Sequence, residues 1–477
     1  MRPPALRVEP HGGWEMGIVL SGGTVVTAVD CYRADVRIEG EQVAAVGHRI
    51  KQPEDRVLPV DGCYLFPGGI DPHTHFDMPA GDTVTADDFA SGTKAAVFGG
   101  TTTIIDYVTQ FRGETLGQAL ANWHARAGGK CYSDYGFHMG ITDWNDKIAV
   151  EMDKIVRQEG ITSFKLYMAY KNLLQVDDGV LIQAMCRAKA TGALICVHCE
   201  NGEIIHHLVN EARVRGNTAP HYHPLTRPTE AEGEATARVI TLARVAQAPV
   251  YIVHLSCSEA LRTVVDARSR GVEVYVETCP QYLLLDDSYY QEDDFDSAKY
   301  VMSPPLRKKD DQQALWSGLR TGEIDTVATD HCSFNFKGQK ELGRADFSRI
   351  PGGIPGVEHR MGLLYSYGVV PGRISMNRFV DLTSTRAAKL FGLFPRKGTI
   401  APGSDADVVV WEPGATSVIT AHAHHQRVDY TPYEGFKQTG KAMHVFLRGL
   451  QILRDDHLVD ENPKGIYLFR KPLKGRG

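Results

Sequence analysis

The sequence predicts an α/β protein: a (β/α)8 TIM barrel with a discontinuous small β-sandwich domain built from both chain ends. Three observations predict it. Eight short apolar runs between residues 63 and 330 alternate with helical patterns, as a parallel barrel requires. On either side of that region the texture changes to short strands punctuated by glycine, so two distant segments read as one folding unit. His, Lys and Asp recur at or near the ends of the apolar runs, the edge on which such barrels assemble their sites.

The elements follow in order. Residues 1–15 are Pro/Gly-rich and lack the apolar core of a signal peptide, so they read as an extension ahead of Met16, an alternative start. Residues 16–67 give a small antiparallel unit with strands at 18–20, 24–26, 35–38 and 43–46, turned at Gly22-Gly23, Glu39-Gly40 and Gly47. The barrel occupies 68–395. Its first strand is the apolar run 63–70, which leads into Asp71-Pro72-His73-Thr74-His75. The other seven lie at 101–106, 135–139, 163–167, 193–198, 250–254, 272–276 and 325–330. Helical patterns separate most of them. One spans 180–190 and stops at Gly192, another spans 232–246. A third, 256–271, opens with a Ser256-to-Glu259 capping box and closes on glycine. Residues 396–454 return to strands at 406–411, 444–447 and 449–453, completing the sandwich. Residues 455–477 form a tail, basic from Asn462 onward, that is expected to dock on a neighbouring subunit.

A chain of 477 residues suits a large barrel plus an accessory domain. Its 43% apolar and 23% charged residues are those of a soluble globular protein, expected in the cytoplasm. The net charge of −6 without a basic block favours neither nucleic acid nor an anionic membrane, and no apolar run approaches a membrane span. Nine scattered cysteines argue for reduced thiols. Cys196 and Cys199 have a redox or zinc spacing, but they lie in an apolar strand with no second pair and read as small buried residues flanking His198.

The strand ends carry the chemistry. In an extended segment, residues two apart point the same way, so His73 and His75 can aim both rings at one metal. Strand five ends in His198, strand six in His254 and strand eight in Asp330. This N/O set suits zinc, with manganese, cobalt or nickel as alternatives. Lys165 lies inside strand four, and alternation with Phe164 and Leu166 sends it inward. A buried ammonium would repel cations and a neutral amine would bind only one. A carbamate formed from CO2 is an anion with two oxygens able to bridge two metals. The competing reading pairs Lys165 with Asp330. The histidines at 422, 424 and 425, at 206 and 207, and at 221 and 223 sit among polar residues and read as surface.

These residues, from about 17 to about 453, resemble the binuclear amidohydrolases, and most closely the dihydropyrimidinase and D-hydantoinase family. The motifs that carry the resemblance are Gly69-Ile70-Asp71-Pro72-His73-Thr74-His75-Phe76-Asp77-Met78-Pro79, Gly99-Gly100-Thr101-Thr102-Thr103-Ile104-Ile105-Asp106, Ser163-Phe164-Lys165-Leu166-Tyr167-Met168-Ala169-Tyr170-Lys171, Glu277-Thr278-Cys279-Pro280-Gln281-Tyr282 and Met302-Ser303-Pro304-Pro305-Leu306-Arg307. The resemblance implies two divalent metal ions, zinc above all. His73, His75 and Asp330 would ligate one, His198 and His254 the other, with carboxylated Lys165 bridging. It implies hydrolytic ring opening of 5,6-dihydropyrimidines or 5-substituted hydantoins to N-carbamoyl amino acids by a metal-bridging hydroxide. Asp330 would act as base and then acid, and Tyr170 would stabilise the oxyanion. Ser303 would hold the cyclic imide through its backbone. Gly352, in Pro351-Gly352-Gly353, stands where the family has Asn in a Pro-Asn-Gly turn. Tyr167, Leu174 and Ala80 are expected to line the exocyclic pocket.

The implied partner is a small cyclic diamide, and the family's common state is a homotetramer. Phe76-Asp77 after His75 argues against a dihydroorotase, which would carry Arg there. An allantoinase-like hydrolase and a non-catalytic scaffold of the collapsin response mediator type are the alternatives, the latter opposed by intact ligand positions.

Overall fold

The computed structural model describes residues 16–291 and 295–473. The extension 1–15 and the tail end 474–477 lie outside the described residues. Eight parallel strands stand in sequence order around the barrel: β1 (Gly69–Thr74), β2 (Thr101–Thr109), β3 (Asp134–Gly140), β4 (Ser163–Tyr167), β5 (Leu194–His198), β6 (Val250–Ile252), β7 (Val274–Thr278) and β8 (Thr326–Val327). A parallel bridge between Thr74 and His331 brings the first and last strands together. Every residue of β1 to β6 is buried. Helices cover the outer face and side chains fill the inner one, which is why these strands read as continuous apolar runs rather than alternating ones. Ile70, Ile105, Leu194, Cys196 and Tyr251 pack inside, above Phe391 and Leu468 at the floor.

The run 63–70 is two strands rather than one. Tyr64–Pro67 pairs with Val408–Val418 and Thr24–Val26, and β1 begins only after Gly68. A Cβ at Gly68 would overlap the Thr102 side chain, so only glycine lets the chain pass from sheet to barrel here. The two chain ends share a seven-stranded sheet, backed by a four-stranded one, around Leu20, Val36, Leu65, Val408 and Phe446. The unit is mixed rather than antiparallel. Ile18–Ser21 runs parallel to Arg56–Pro59, and Thr24–Val26 parallel to Tyr64–Pro67. Arg56–Pro59 is a largely exposed edge strand, so it carries no apolar alternation for sequence reading to find. The large sheet also runs on to His457–Leu458, past residue 454. Buried Lys397 ties this unit to the barrel. Its Nζ lies 2.7 Å from Asp134 at the foot of β3, 2.7 Å from Asp407 and 3.1 Å from Asp405.

Two helix expectations hold and one fails. Asp178–Thr191 ends at Gly192 with φ +72°, and Thr229–Ala246 matches the second pattern. The third helix is Ser258–Ser269 with Cys257 at its N-cap, so the Ser256 capping box does not form. Glu232 takes Ser256 instead, accepting from its N–H at 2.8 Å and from its hydroxyl, while Asp311 caps Ser258 N at 2.8 Å. The described part of the tail packs on the chain's own barrel. Ile466 and Leu468 exchange backbone hydrogen bonds with Tyr135. The fully buried Arg470 guanidinium donates to Phe137 O and Ser163 Oγ.

Candidate active site

The C-terminal strand ends converge at the barrel mouth. Asp71 organises the first. Its carboxylate accepts from His73 N at 3.2 Å, Thr329 N at 3.1 Å and Thr329 Oγ1 at 2.6 Å, locking β1 to the segment before Asp330. His73 Nε2 and His75 Nε2 each lie 3.1 Å from Asp330 Oδ1. These three ligand atoms sit within 4.8 Å of one another, a grouping able to hold a metal ion. Asp330 has φ +51° and His254 φ +38°, the left-handed backbone that functional positions hold at a cost.

On the opposite side His198 Nδ1 lies 2.8 Å from His254 Nε2. Glu200 accepts from His198 Nε2 at 2.8 Å and from Arg227 at 2.5 Å. Burial would raise the Glu200 carboxyl, but Arg227 and His198 outweigh it and hold it at about 2. Glu277 crosses the floor between the two halves. It accepts from His73 Nδ1 at 2.6 Å, His254 N at 3.1 Å and the Tyr251 hydroxyl at 2.8 Å. Burial pushes its carboxyl up to about 8 against those donors.

Lys165 lies between the halves, 1% exposed. Its Nζ stands over the Tyr107 ring at 5.0 Å and the Tyr167 ring at 5.3 Å. Among the described residues it makes no ion pair with Asp330, whose carboxylate is engaged by the two histidines. Burial lowers the amine to about 8, with Asp330 opposing. A sizeable neutral fraction near pH 8 is what reaction with CO2 needs.

The donor set fits cations. Burial drives His73 well below its usual range, so it is neutral. With Nδ1–H given to Glu277, its Nε2 turns a lone pair toward the Asp330 carboxylate. His198, its Nε2–H given to Glu200, likewise turns Nδ1 toward a second imidazole nitrogen. Buried His75 Nδ1 has no hydrogen-bond partner among the described residues. Outer hydrogen bonds that fix the tautomer are how proteins orient ligating histidines, and a cation among these nitrogens and the Asp330 carboxylate would take the lone pairs so turned inward.

Beside this centre, Tyr170 has φ +67° on a tight turn whose carbonyl accepts from the N–H groups of Leu173, Leu174 and Gln175. Its ring lies 4.9 Å from His198, and Arg227 stands 5.7 Å over it. Its hydroxyl faces the Ser303 side chain, and burial raises its pKa, so it stays protonated. Gly352 is adjacent, since a Cβ there would reach 3.9 Å from Ser303 Oγ. Around Ser303 the carbonyls are taken: Val301 O by Lys340, Met302 O by His223 at 2.7 Å and Pro304 O by Tyr282 at 2.8 Å. Among the described residues, no donor reaches Ser303 O.

Tyr167 reaches this space, its ring 6.1 Å from Tyr170. Leu174 sits on the Tyr170 turn, its N–H donating to Tyr170 O, and Ala80 lies on a two-stranded ribbon with Thr83–Val84. His223 is buried rather than at the surface, because its ring props Met302. His424 is half-buried, bonding Val428 O and Gln426, while His206, His207, His422 and His425 are exposed. Sequence reading gave no role to Glu277, Glu200, Arg227 or Asp71. The apolar run of strand seven stops at 276 and leaves Glu277 outside it, whereas β7 runs to Thr278 and places the carboxylate at the mouth. Glu200 sits two residues after His198, and that spacing was the available signal.

Residues 64–452 match the amidohydrolase family. The D-hydantoinase of Geobacillus stearothermophilus is 51% identical over 452 residues, covering 95% of this chain and 96% of that protein. The D-hydantoinase of Streptomyces coelicolor is 48% identical over 457 residues, covering 95% and 97%. The crystal structure of dihydropyrimidinase from Brevibacillus agri NCHU1002 superposes with a TM-score of 0.95 at 51% identity, covering 96% of this chain and all of that one. The chain therefore belongs to the amidohydrolase family and, within it, to the hydantoinase and dihydropyrimidinase hydrolases.

Proposed function

We propose that this enzyme opens the ring of 5,6-dihydropyrimidines and 5-substituted hydantoins, giving N-carbamoyl amino acids. The family implies a binuclear divalent metal site. His73, His75 and Asp330 would hold one ion, His198 and His254 the other, with a CO2-derived carbamate on Lys165 between them. Zinc suits this N/O set best. When bound, such ions supply an acidified water near neutral pH and a Lewis acid for the scissile carbonyl. The observation that carries the reading is the facing of histidine nitrogens and one carboxylate around a buried lysine that, among the described residues, has no carboxylate partner.

The chain's own groups supply the remaining steps. Ser303 O, left without a donor by its braced neighbours, accepts a ring N–H. The Gly352 turn meets the opposite edge of the ring. Tyr170, held protonated by burial, donates its hydroxyl to the oxygen on which charge develops as the carbonyl carbon is attacked. One well-aimed donor of this kind contributes about 3–4 kcal/mol. Asp330 takes the proton of the attacking water and returns it to the ring nitrogen as the C–N bond breaks.

The test is product formation by zinc- and bicarbonate-treated enzyme. Dihydrouracil should give N-carbamoyl-β-alanine, and a 5-substituted hydantoin an N-carbamoyl-α-amino acid. If metal-loaded enzyme opens neither ring, the substrate assignment fails and allantoin is the next ring to try.

A further inference from the structure

We propose that Lys340 is a positioning residue that sets the width of the substrate cradle by clamping its two walls together; this rests on the function proposed above. Its Nζ donates to Val301 O at 2.8 Å, Pro351 O at 2.8 Å and Gly353 O at 2.7 Å. Val301 lies two residues before Ser303, and Pro351 and Gly353 flank Gly352. One nitrogen therefore fixes both walls of the space in which the ring is to lie. A second tie, Gly353 N to Val301 O at 3.0 Å, runs alongside it.

Lys340 is fully buried, and among the described residues no carboxylate pairs with it. A lysine has three N–H donors only as the ammonium; the neutral amine has two. Three carbonyl acceptors at 2.7–2.8 Å are the geometry of the charged form. Burial works against that form, lowering the amine to about 7. A plain scaffold contact would not require a charge without a counter-ion in this place. Its use is rigidity, because three short charge-assisted bonds from one atom leave the two walls little freedom to separate. The cradle's other braces, His223 on Met302 and Tyr282 on Pro304, act on one wall alone. Among the described residues, only the Lys340 amine and the Gly353 N–H hydrogen-bond the two walls together.

The test compares Lys340→Met and Lys340→Gln with the parent enzyme by metal content, thermal stability, and kcat and KM on dihydrouracil and on a 5-substituted hydantoin. Lys340→Met keeps length and loses every donor, whereas Lys340→Gln keeps two N–H donors without charge. The expected result is unchanged metal content and a fall of about 100-fold in kcat/KM for Lys340→Met, much of it in KM, as misplacement of a bound ring by about 1 Å produces. Lys340→Gln should fall in between. The preference between the six-membered and five-membered ring should shift by about fivefold or more, since the width no longer discriminates. Unchanged KM and unchanged ring preference with a lower Tm would overturn the proposal. So would failure of both variants to fold, which would make Lys340 a scaffold residue. If the parent opens neither ring, the proposed function falls first and this inference with it; an active parent with insensitive variants sinks the inference alone.

Discussion

Replacing Glu277 by glutamine keeps the shape of the side chain and removes an ionisable carboxyl from beneath both histidine pairs. Glu277 Oε1 accepts from His73 Nδ1 and His254 N, and Oε2 from the Tyr251 hydroxyl. In Glu277→Gln the amide oxygen can keep the first two bonds. The amide N–H2 then meets Tyr251, whose hydroxyl is also 2.6 Å from Thr326 Oγ1 and can turn to donate there. The number of hydrogen bonds survives, so the fold should survive. What is lost is a carboxylate that cations bound beside it would hold deprotonated against burial, and that would then make His73 a stronger ligand and offset cationic charge. Outer partners of this kind contribute about 10–100-fold in metal affinity or activity, or roughly 1.4–2.8 kcal/mol. The assay is competition with a chelator followed by metal analysis, with kcat/KM measured at saturating zinc. Weaker zinc binding with a Tm close to the parent's is expected. Zinc affinity and kcat/KM both within twofold of the parent would refute the reasoning.

Three further outcomes are expected. Tyr170→Phe should lower kcat by about 100-fold or more with metal content unchanged, because on the proposed mechanism it removes one donor to the developing oxyanion and no proposed ligand; stopped assays beside metal analysis check it. Lys165→Met should lose metal and activity together, and neither should return with bicarbonate, whereas chelated and reloaded parent enzyme should recover better with bicarbonate than without it. Gly392→Ala should destabilise the protein by about 2 kcal/mol or more, since φ there is +74° and the new Cβ would run into the Lys471 carbonyl. Thermal melts should show the loss, and hydrogen exchange over residues 466–473 should show the tail lifting from the barrel floor.

The barrel was legible because buried parallel strands are continuous apolar runs, and β2 to β8 fall where those runs lie. The metal-ligand candidates were legible for the same reason, since His and Asp stand out at apolar strand ends. What escaped was set by contacts between distant segments. Ser256 reads as a cap from its neighbours, but Glu232, on another helix, takes both its groups. Arg470 reads as a basic tail residue, yet it fills the floor of the barrel. Lys340 opens a single 3-10 turn, Lys340–Gly343, in a stretch without periodicity, and only the fold shows that carbonyls 39, 11 and 13 residues away meet on its amine. His223 looked like a surface residue because its partner, Met302 O, is backbone and leaves no side-chain pattern.

The most direct test of the central claim is a zinc titration of metal-free protein in bicarbonate, with bound metal and ring opening of dihydrouracil and a 5-substituted hydantoin followed in the same samples. Activity should be absent without metal and should level off as the binuclear site fills, at two zinc ions per chain. Ring opening by metal-free protein, or a filled site that opens neither ring, would contradict it.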